Sequence, residues 1–250
     1  MIPNDQTTVL VLGATGRTGS RVLAELVQRG VHVRAIVRSL AKVHPDLRHH
    51  PRVSLLEGEV LAIDDATFRA QVAGCDAVIS CLGHVISLRG VFGAPRRLVT
   101  RAVERVRDAV VALSSARPVR LALMSSVSVN RPARADTRRG RFERAFVALI
   151  RWLIPPARDN QTAADVLTRA PASLEWVVVR PDTLKEGDAC PHTLHEGLVA
   201  TVFSPRQTHM SNVARFLADL ATDDALWGQW RGRMPVIVDA LPAEATLPAD

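Results

Sequence analysis

Short runs of apolar residues recur along the chain, and most are followed by a longer segment in which apolar residues repeat every three or four positions. Runs rich in Val, Ile and Leu indicate buried strands, and the longer repeat indicates amphipathic helices. Strands are predicted at residues 8–12, 31–37, 53–57, 75–81, 119–124, 174–181 and 234–238. The alternation of strands and helices predicts an α/β fold with a doubly wound parallel sheet.

The predicted helices differ in how they begin and in their charge. The first begins just after Gly19, and the second is expected to be capped by Asp64. A helix at residues 142–154 is basic and amphipathic, which favours packing on the sheet but is also typical of membrane-surface or partner-binding helices. Helices are predicted at 20–27, 65–73, 96–116, 142–154, 159–170 and 213–221.

The chain length fits one α/β domain with a full core. We expect this domain to cover residues 1–240, with an elaboration for substrate binding at about 182–240. Residues 182–207 follow no regular pattern and are predicted to be looped. The Pro- and Ala-rich tail at 241–250 is expected to be mobile.

Three glycines follow the first strand at intervals of three residues, and a helix begins at once. Gly13 permits a tight turn, Gly16 lets a pyrophosphate approach the backbone, and Gly19 permits close packing of helix and sheet. The helix amides then face an anion. The strand, turn and helix together favour dinucleotide binding over a purely structural turn. The predicted cofactor-binding residues here are Gly13, Ala14, Thr15, Gly16, Arg17, Thr18 and Gly19.

This glycine spacing resembles that of the short-chain dehydrogenase/reductase superfamily, in particular its extended and atypical branches, which implies a Rossmann-type fold. An NAD-binding pattern has an acidic residue at the end of the second strand, whereas Arg38 stands there in this chain. A guanidinium can bind a 2′-phosphate through two hydrogen bonds, and Arg17 lies in the glycine turn. The sequence therefore predicts NADP(H), preferred over NAD(H). The alternative is that both are ordinary surface arginines.

The resemblance implies further cofactor contacts. Relatives have an Asp followed by an apolar residue after the third strand, contacting the adenine, and Glu59 and Val60 match that pair loosely. The exit of the fourth strand lies beside the predicted crevice, where the cofactor ribose would pass. The residues at this exit are Cys81, Leu82 and Gly83, and Ser125 follows the fifth strand.

From the glycines to the start of the last helix, the motifs resemble in order those of NmrA-like short-chain reductases, a branch that includes flavin and biliverdin reductases. Ser126 matches the serine of such relatives, and its hydroxyl is predicted to bond a substrate carbonyl. Typical members pair this serine with Tyr-x-x-x-Lys, but the chain has no tyrosine. Asn160 stands where flavin-reductase relatives have a histidine, and an amide does not exchange protons near neutral pH.

Two functions remain open from these residues. The first is an NADPH-dependent reductase of a flavin, a quinone or a similar small acceptor, with Ser126 and Asn160 as hydrogen-bonding groups. The second is a catalytically silent NADP(H)-binding redox sensor or assembly protein, which leaves a protein partner open. A sugar-nucleotide epimerase or dehydratase is a weaker third, because those relatives depend on the tyrosine.

Composition narrows the partners and the compartment. The net charge is +7, but the arginines are scattered, so no nucleic-acid partner is predicted. The three cysteines lack zinc-ligand spacing, and His192 and His195 have no carboxylate or cysteine beside them, so no metal site is predicted. The sequence predicts neither a signal peptide nor a transmembrane segment, and we expect a cytoplasmic location. His84 is a weaker candidate for the crevice.

Overall fold

A computed structural model describes residues 6–83, 96–131 and 140–241 of the chain. A single large sheet has eight strands in the order β3-β2-β1-β4-β5-β6-β10-β8, all parallel except β8, which pairs antiparallel to β10. A second small sheet pairs β7 with β9. The strands are β1 Thr8–Leu12, β2 His32–Val37, β3 Val53–Glu57, β4 Ala77–Ser80, β5 Val119–Met124, β6 Leu174–Pro181, β7 Thr183–Lys185, β8 His192–His195, β9 Gln207–His209 and β10 Val236–Asp239.

Helices lie between most of these strands. Besides a short 3-10 helix at Leu40–Lys42, the α-helices are α1 Arg17–Gln28, α2 Pro45–Arg48, α3 Asp65–Val72, α4 Leu98–Leu113, α5 Arg141–Leu153, α6 Pro155–Leu167, α7 Met210–Thr222 and α8 Asp224–Trp230. As predicted, Asp64 caps α3, where its Oδ1 accepts a hydrogen bond of 2.8 Å from the Thr67 amide. The α/β fold with a doubly wound, mostly parallel sheet is therefore confirmed.

Both faces of the sheet are buried, and β1 shows how one short apolar run serves both. Val9 and Val11 point into a core cluster with α1, α7 and α8, whereas Leu10 and Leu12 point into a second cluster with α3, α4 and α6. Successive side chains of a strand point to opposite faces, so a parallel strand covered by helices needs apolar residues throughout. This is why the parallel strands of the large sheet were the clearest signal in the sequence.

Two regions differ from the expectation. Residues 182–207, predicted as a loop, contain β7 and β8, and β9 begins at Gln207. The helix α5 buries Val147 but leaves Phe142, Leu149 and Trp152 largely exposed, so its apolar stripe is not packed on the sheet as predicted. The reason is geometric: residues 142, 149 and 153 share one face of the helix, and residues 143 and 147 share another. His84 and residues 242–250 lie outside the described residues.

Candidate functional site

The turn after β1 depends on glycine at two positions. Gly13 has a φ of +82°, and a Cβ there would lie 2.9 Å from the carbonyl carbon and oxygen of Cys81, beyond the end of β4. A Cβ at Gly19 would lie 2.1 Å from the Gly13 oxygen. Contacts this short cannot be relieved by rotating a side chain, because both partners are backbone. The turn thus brings α1, β1 and the β4 exit together as closely as the backbone allows.

Gly16 immediately precedes α1 and has a different role. Its amide donates a 2.9 Å hydrogen bond to the Gly13 oxygen, and the residue is exposed. No side chain caps the helix at Gly16, and its first turn carries no acidic residue. Helix amides without a capping side chain, together with the positive end of the helix dipole, favour an anion at this position.

The strand order places a crevice beside this turn. The chain winds outward from β1 through β2 to β3 and then returns to β4 on the other side of β1, so the order reverses between β1 and β4. In open α/β sheets, ligands bind at such a reversal, beyond the carboxyl ends of the strands. Of the residues predicted to contact the cofactor ribose, Cys81 and Leu82 lie beside Gly13, and Gly83 follows them in the chain.

Cys81 is held at this crevice as a neutral thiol. Its amide donates a 2.9 Å hydrogen bond to the Leu12 oxygen, and its side chain is 8% exposed. Burial raises the pKa of the thiol to about 12. Because a thiolate is the reactive form, Cys81 contributes packing here, and no nucleophilic role follows from its position.

Arg38 lies just beyond the end of β2 and is exposed, as is Arg17 in the first turn of α1. Within the described part of the chain, Arg38 makes no ion pair, so its guanidinium is available to a ligand. Glu57 ends the adjacent strand β3 opposite Val37, and its Oε1 accepts a 3.2 Å hydrogen bond from the Leu40 amide. Arg38 therefore has a carboxylate in its neighbourhood, which weakens the positive potential at the end of β2.

The predicted adenine contacts lie after β3. Glu59 is exposed, whereas Val60 is 7% exposed and packs in the core cluster beneath α4. The Val60 carbonyl accepts a hydrogen bond from Arg105, which also bonds the Ile63 oxygen at 2.8 Å. The segment after β3 is thereby fixed to α4, with Val60 facing mainly the interior.

The two serines after β5 differ in their bonding. Ser125 is 8% exposed, and its Oγ has no hydrogen-bond partner among the described residues; Ser80 Oγ at the end of β4 is in the same condition. Ser126 is half-buried, and its Oγ lies 2.6 Å from Ser128 Oγ. A buried hydroxyl without a partner is unfavourable, so the hydroxyl of Ser125 is available to hydrogen-bond a ligand.

Asn160 stands between two residues that anchor α6. The Asp159 carboxylate is 3% exposed and accepts hydrogen bonds of 2.8 Å and 3.0 Å from the amides of Val99 and Thr100, at the start of α4. Gln161 bonds both the amide and the carbonyl of Asn130, at 2.8 Å and 3.2 Å. No hydrogen bond joins Asn160 to Ser126 in the described ranges, and the side-chain amide of Asn160 is not committed to another described residue.

Arg180 is a structural residue whose role the sequence did not reveal. It has no solvent exposure, and its Nε donates a 2.8 Å hydrogen bond to the Met234 carbonyl. Its two terminal nitrogens bond the carbonyls of Val129, at 3.0 Å, and Glu196, at 3.2 Å. One side chain of β6 thus binds both the segment around Val129, after the two serines, and the segment around Glu196.

Comparison with proteins of known structure shows the same fold. The oxidoreductase ylbE of Lactococcus lactis superposes with a TM-score of 0.68 at 17% identity, covering 94% of this chain and 91% of that one. A Streptococcus pneumoniae protein provisionally assigned as an NADH-flavin reductase gives 0.66 at 18% identity, with 94% and 100% covered. A Veillonella parvula short-chain dehydrogenase/reductase in complex with NADP gives 0.66 at 15%, with 98% and 99% covered.

Sequence similarity adds a relative and a family. An uncharacterized chloroplastic protein of Arabidopsis thaliana is 36% identical over 77 residues, which is 30% of this chain and 27% of that protein. In the ranges that the structure describes, no helix has both the length and the apolar character needed to cross a bilayer. Residues 13–224 match a family described as NAD(P)H-binding, beginning at the first glycine of the turn. The chain therefore belongs to the NAD(P)H-binding family, as the resemblance of its glycine turn implied, and it shares the fold of the reductase and short-chain dehydrogenase/reductase structures.

Proposed function

We propose that the protein is an NADPH-dependent reductase that delivers hydride to a flavin, a quinone or a similar small acceptor. The observation that carries the proposal is the start of α1, where the uncapped amides after Gly16 lie beside the crevice between β1 and β4. This arrangement suits a pyrophosphate, and Ser125 Oγ supplies an uncommitted hydroxyl after β5. The residues present therefore fit a nicotinamide dinucleotide.

The preference for the phosphorylated form rests on Arg38. Its exposed guanidinium at the end of β2 stands where an NAD-binding protein has a carboxylate. Paired hydrogen bonds to the 2′-phosphate would be charge-assisted and stronger than neutral ones. Arg17 and Lys42 add positive charge from neighbouring exposed positions, and Glu57 partly opposes them.

The kind of molecule that can accept the hydride depends on whether the protein has a side chain that can supply a proton. The reduced nicotinamide supplies a hydride when it is bound, and the protein orients the acceptor and excludes water. Ser126 can donate a hydrogen bond while Ser128 keeps its hydroxyl oriented, and Asn160 can donate one from its amide. Without a tyrosine in the chain, acceptors that need orientation more than acid catalysis are favoured.

The proposal is tested by measuring NADPH binding by fluorescence together with NADPH oxidation over a panel of flavins and quinones. We expect turnover with at least one acceptor. Replacing Ser126 by Ala should lower kcat about 10- to 100-fold while NADPH binding stays within about two-fold, because Ser126 addresses the acceptor. Binding without any turnover would contradict the reductase and favour the second function.

The second function is a catalytically silent NADP(H)-binding redox sensor or assembly protein. It is supported by Asn160, whose side chain does not exchange a proton at the position where flavin-reductase relatives have a histidine. Restoring the histidine with Asn160→His distinguishes the two. An increase in turnover supports the reductase, whereas absence of turnover in both forms supports the sensor. We assign either function to the cytoplasm, which the three free cysteines favour.

A further inference from the structure

Four polar side chains meet at the carboxyl end of β10, and neither proposed function uses them. Cys190 lies between β7 and β8, and His209 ends β9 and immediately precedes α7. Asn212 is in the first turn of α7, and Asp239 is the last residue of β10. The Cys190 sulfur, a His209 ring nitrogen and an Asp239 oxygen all lie within 4.8 Å of one another.

These atoms converge on one side of the imidazole. His209 Nδ1 lies 2.8 Å from Asp239 Oδ2 and 3.3 Å from Cys190 Sγ. A ring nitrogen has a single lone pair or a single hydrogen, and it points outward in the ring plane. Cys190 Sγ and Asp239 Oδ2 therefore both lie on the side of the ring to which the lone pair of Nδ1 points, where the three atoms can approach one ion.

A second layer holds the sulfur and the carboxylate in place. Asn212 has no solvent exposure, and its Nδ2 lies 3.3 Å from Cys190 Sγ and 2.9 Å from Asp239 Oδ1. Asn212 Oδ1 accepts a 3.0 Å hydrogen bond from the Cys190 amide. The His209 amide donates to Asp239 Oδ1 at 2.9 Å. Supporting hydrogen bonds of this kind orient the ligands of metal sites.

The imidazole is also fixed from its other edge. Gly187 has a φ of +142°, and a Cβ there would lie 2.6 Å from His209 Cδ2 and 2.8 Å from His209 Nε2. Ser211 Oγ donates a 2.6 Å hydrogen bond to the Gly187 carbonyl, which keeps this backbone against the ring. The backbone of Gly187 therefore lies directly against this edge of the His209 ring, and a residue with a side chain at position 187 would displace the ring.

We propose that Cys190, His209 and Asp239 bind a divalent transition-metal ion, with Zn²⁺ as the preferred ion. Thiolate, imidazole and carboxylate are all ligands of Zn²⁺, and three protein ligands leave a fourth position for water. Tetrahedral Zn²⁺ with a Zn–S bond of ~2.3 Å and Zn–N and Zn–O bonds of ~2.0 Å would separate sulfur from nitrogen by about 3.5 Å and nitrogen from oxygen by about 3.3 Å. The observed sulfur–nitrogen distance of 3.3 Å and nitrogen–oxygen distance of 2.8 Å would have to increase only slightly. No metal site was predicted from the cysteine and histidine spacing, and these three ligands are far apart in the chain.

The site would join three segments of the C-terminal region. The ion would connect the residues before β8, the end of β9 and the end of β10, at the first turn of α7. Because the ligands come from separate segments, binding should also raise the melting temperature of the metal-free protein.

The test uses the full chain, stripped with EDTA and dialysed, and titrated with Zn²⁺ against a competing chelator and with Co²⁺ as a spectroscopic probe. We expect one Zn²⁺ per chain and, with Co²⁺, a sulfur-to-metal charge-transfer band in the near ultraviolet. Cys190→Ser should remove the band and weaken Zn²⁺ binding about 100-fold or more, because losing a ligand should cost at least as much as the ~10- to 100-fold loss caused by disturbing a supporting residue. The matched controls Cys75→Ala and His195→Gln should bind as the wild type does.

Two results would overturn the proposal. One is a wild-type protein that binds Co²⁺ without a thiolate band, a measurement that does not depend on how any variant folds. The other is Zn²⁺ binding of equal strength in the wild type, Cys190→Ser and His209→Gln. Either would leave the four side chains as a hydrogen-bond network that fastens β10 to α7. NADPH binding is measured separately, so failure of this site does not count against the proposed reductase.

Discussion

At the scale of single residues, Gly16 and Gly19 are expected to fail in different ways when a methyl group is added. In Gly19→Ala the Cβ meets the Gly13 oxygen at 2.1 Å, so we expect about 3 kcal/mol lower stability in urea unfolding. In Gly16→Ala the same contact is 3.2 Å, and stability should fall by less than about 1 kcal/mol. Its methyl group instead faces the proposed pyrophosphate, so NADPH binding should weaken about 10-fold or more. Equal effects of both variants on stability would contradict this division of roles.

The proposed preference for NADPH over NADH rests on Arg38, at the end of β2. Replacing it with Ser removes a charge-assisted interaction of about 1.5–3 kcal/mol, so the Kd for NADPH should rise about 10- to 100-fold while that for NADH changes little. Titration calorimetry with both nucleotides measures the difference. Arg107→Ser, on the partly exposed surface of α4, is the control and should alter neither Kd. If the substitution at position 38 raises the Kd for NADPH and the Kd for NADH by the same factor, the proposed preference is wrong.

At the scale of elements, α4 owes its beginning to a side chain on another helix. The Asp159 carboxylate accepts from two amides at the start of α4 and from Thr100 Oγ1 at 2.5 Å. In Asp159→Asn the side chain keeps its size but loses its charge, and an amide N–H replaces one acceptor. We expect a loss of about 2–3 kcal/mol in urea unfolding, because buried donors are left without partners. The surface variant Asp108→Asn should stay within about 0.5 kcal/mol. A similar loss in both would show that Asp159 adds nothing specific.

The contact between β6 and α8 should depend on pH through Glu175. Burial opposes ionisation of this carboxyl, but hydrogen bonds from Trp227 and Arg231, together with the charges of Arg231 and Arg120, lower its pKa below 4.5. A carboxyl with a lowered pKa stabilises the folded state above its unfolded pKa and loses this effect as the pH falls through the folded pKa. Glu175→Gln should therefore be less stable than the wild type at pH 7. The difference should close below about pH 4.5, which urea unfolding at several pH values would reveal. A difference that persists unchanged at pH 3 would exclude this linkage.

The elements that the sequence predicted are those whose pattern comes from burial on two faces. The bounds of β1, β5 and β6 agree with the structure to the residue, because each of these strands lies between two others and is covered by helices on both faces, which requires apolar side chains throughout. The short strands β7 and β9 have three residues each, which is too few for a period to emerge. The helix α8 was missed for the same reason, as it has only seven residues.

At the scale of the whole molecule, one candidate site was predictable from the sequence and the other was not. The glycine turn was predictable because its three glycines are close together in the sequence and the geometry of the turn requires a residue without a side chain. The cluster of Cys190, His209 and Asp239 was not, because the fold alone brings residues from three segments together. Asn160 was predicted from a motif, but its neighbours Asp159 and Gln161 proved to be the anchors.

Arg180 joins the parallel core to the C-terminal region, so its replacement should affect the whole molecule. In Arg180→Met, the carbonyls of Met234, Val129 and Glu196 all lose the hydrogen bonds that the buried guanidinium donates to them. Each buried polar group left without a partner costs about 1–3 kcal/mol, so we expect at least about 3 kcal/mol lower stability in urea unfolding. Arg180→Lys keeps the charge but cannot reach three carbonyls with one ammonium, and it should recover only part of the loss.

The control for Arg180 lies at the same end of the molecule. Arg233 pairs with the Glu196 side chain, but both side chains are about half exposed, 54% and 47%. Exposed ion pairs contribute about 1 kcal/mol or less, so Arg233→Met should be nearly neutral. Limited proteolysis adds a local readout, since release of Glu196 should make the segment at 182–207 the first to be cut in Arg180→Met. If both variants unfold at the same urea concentration, or if cleavage begins elsewhere, Arg180 is not what fastens this region to β6.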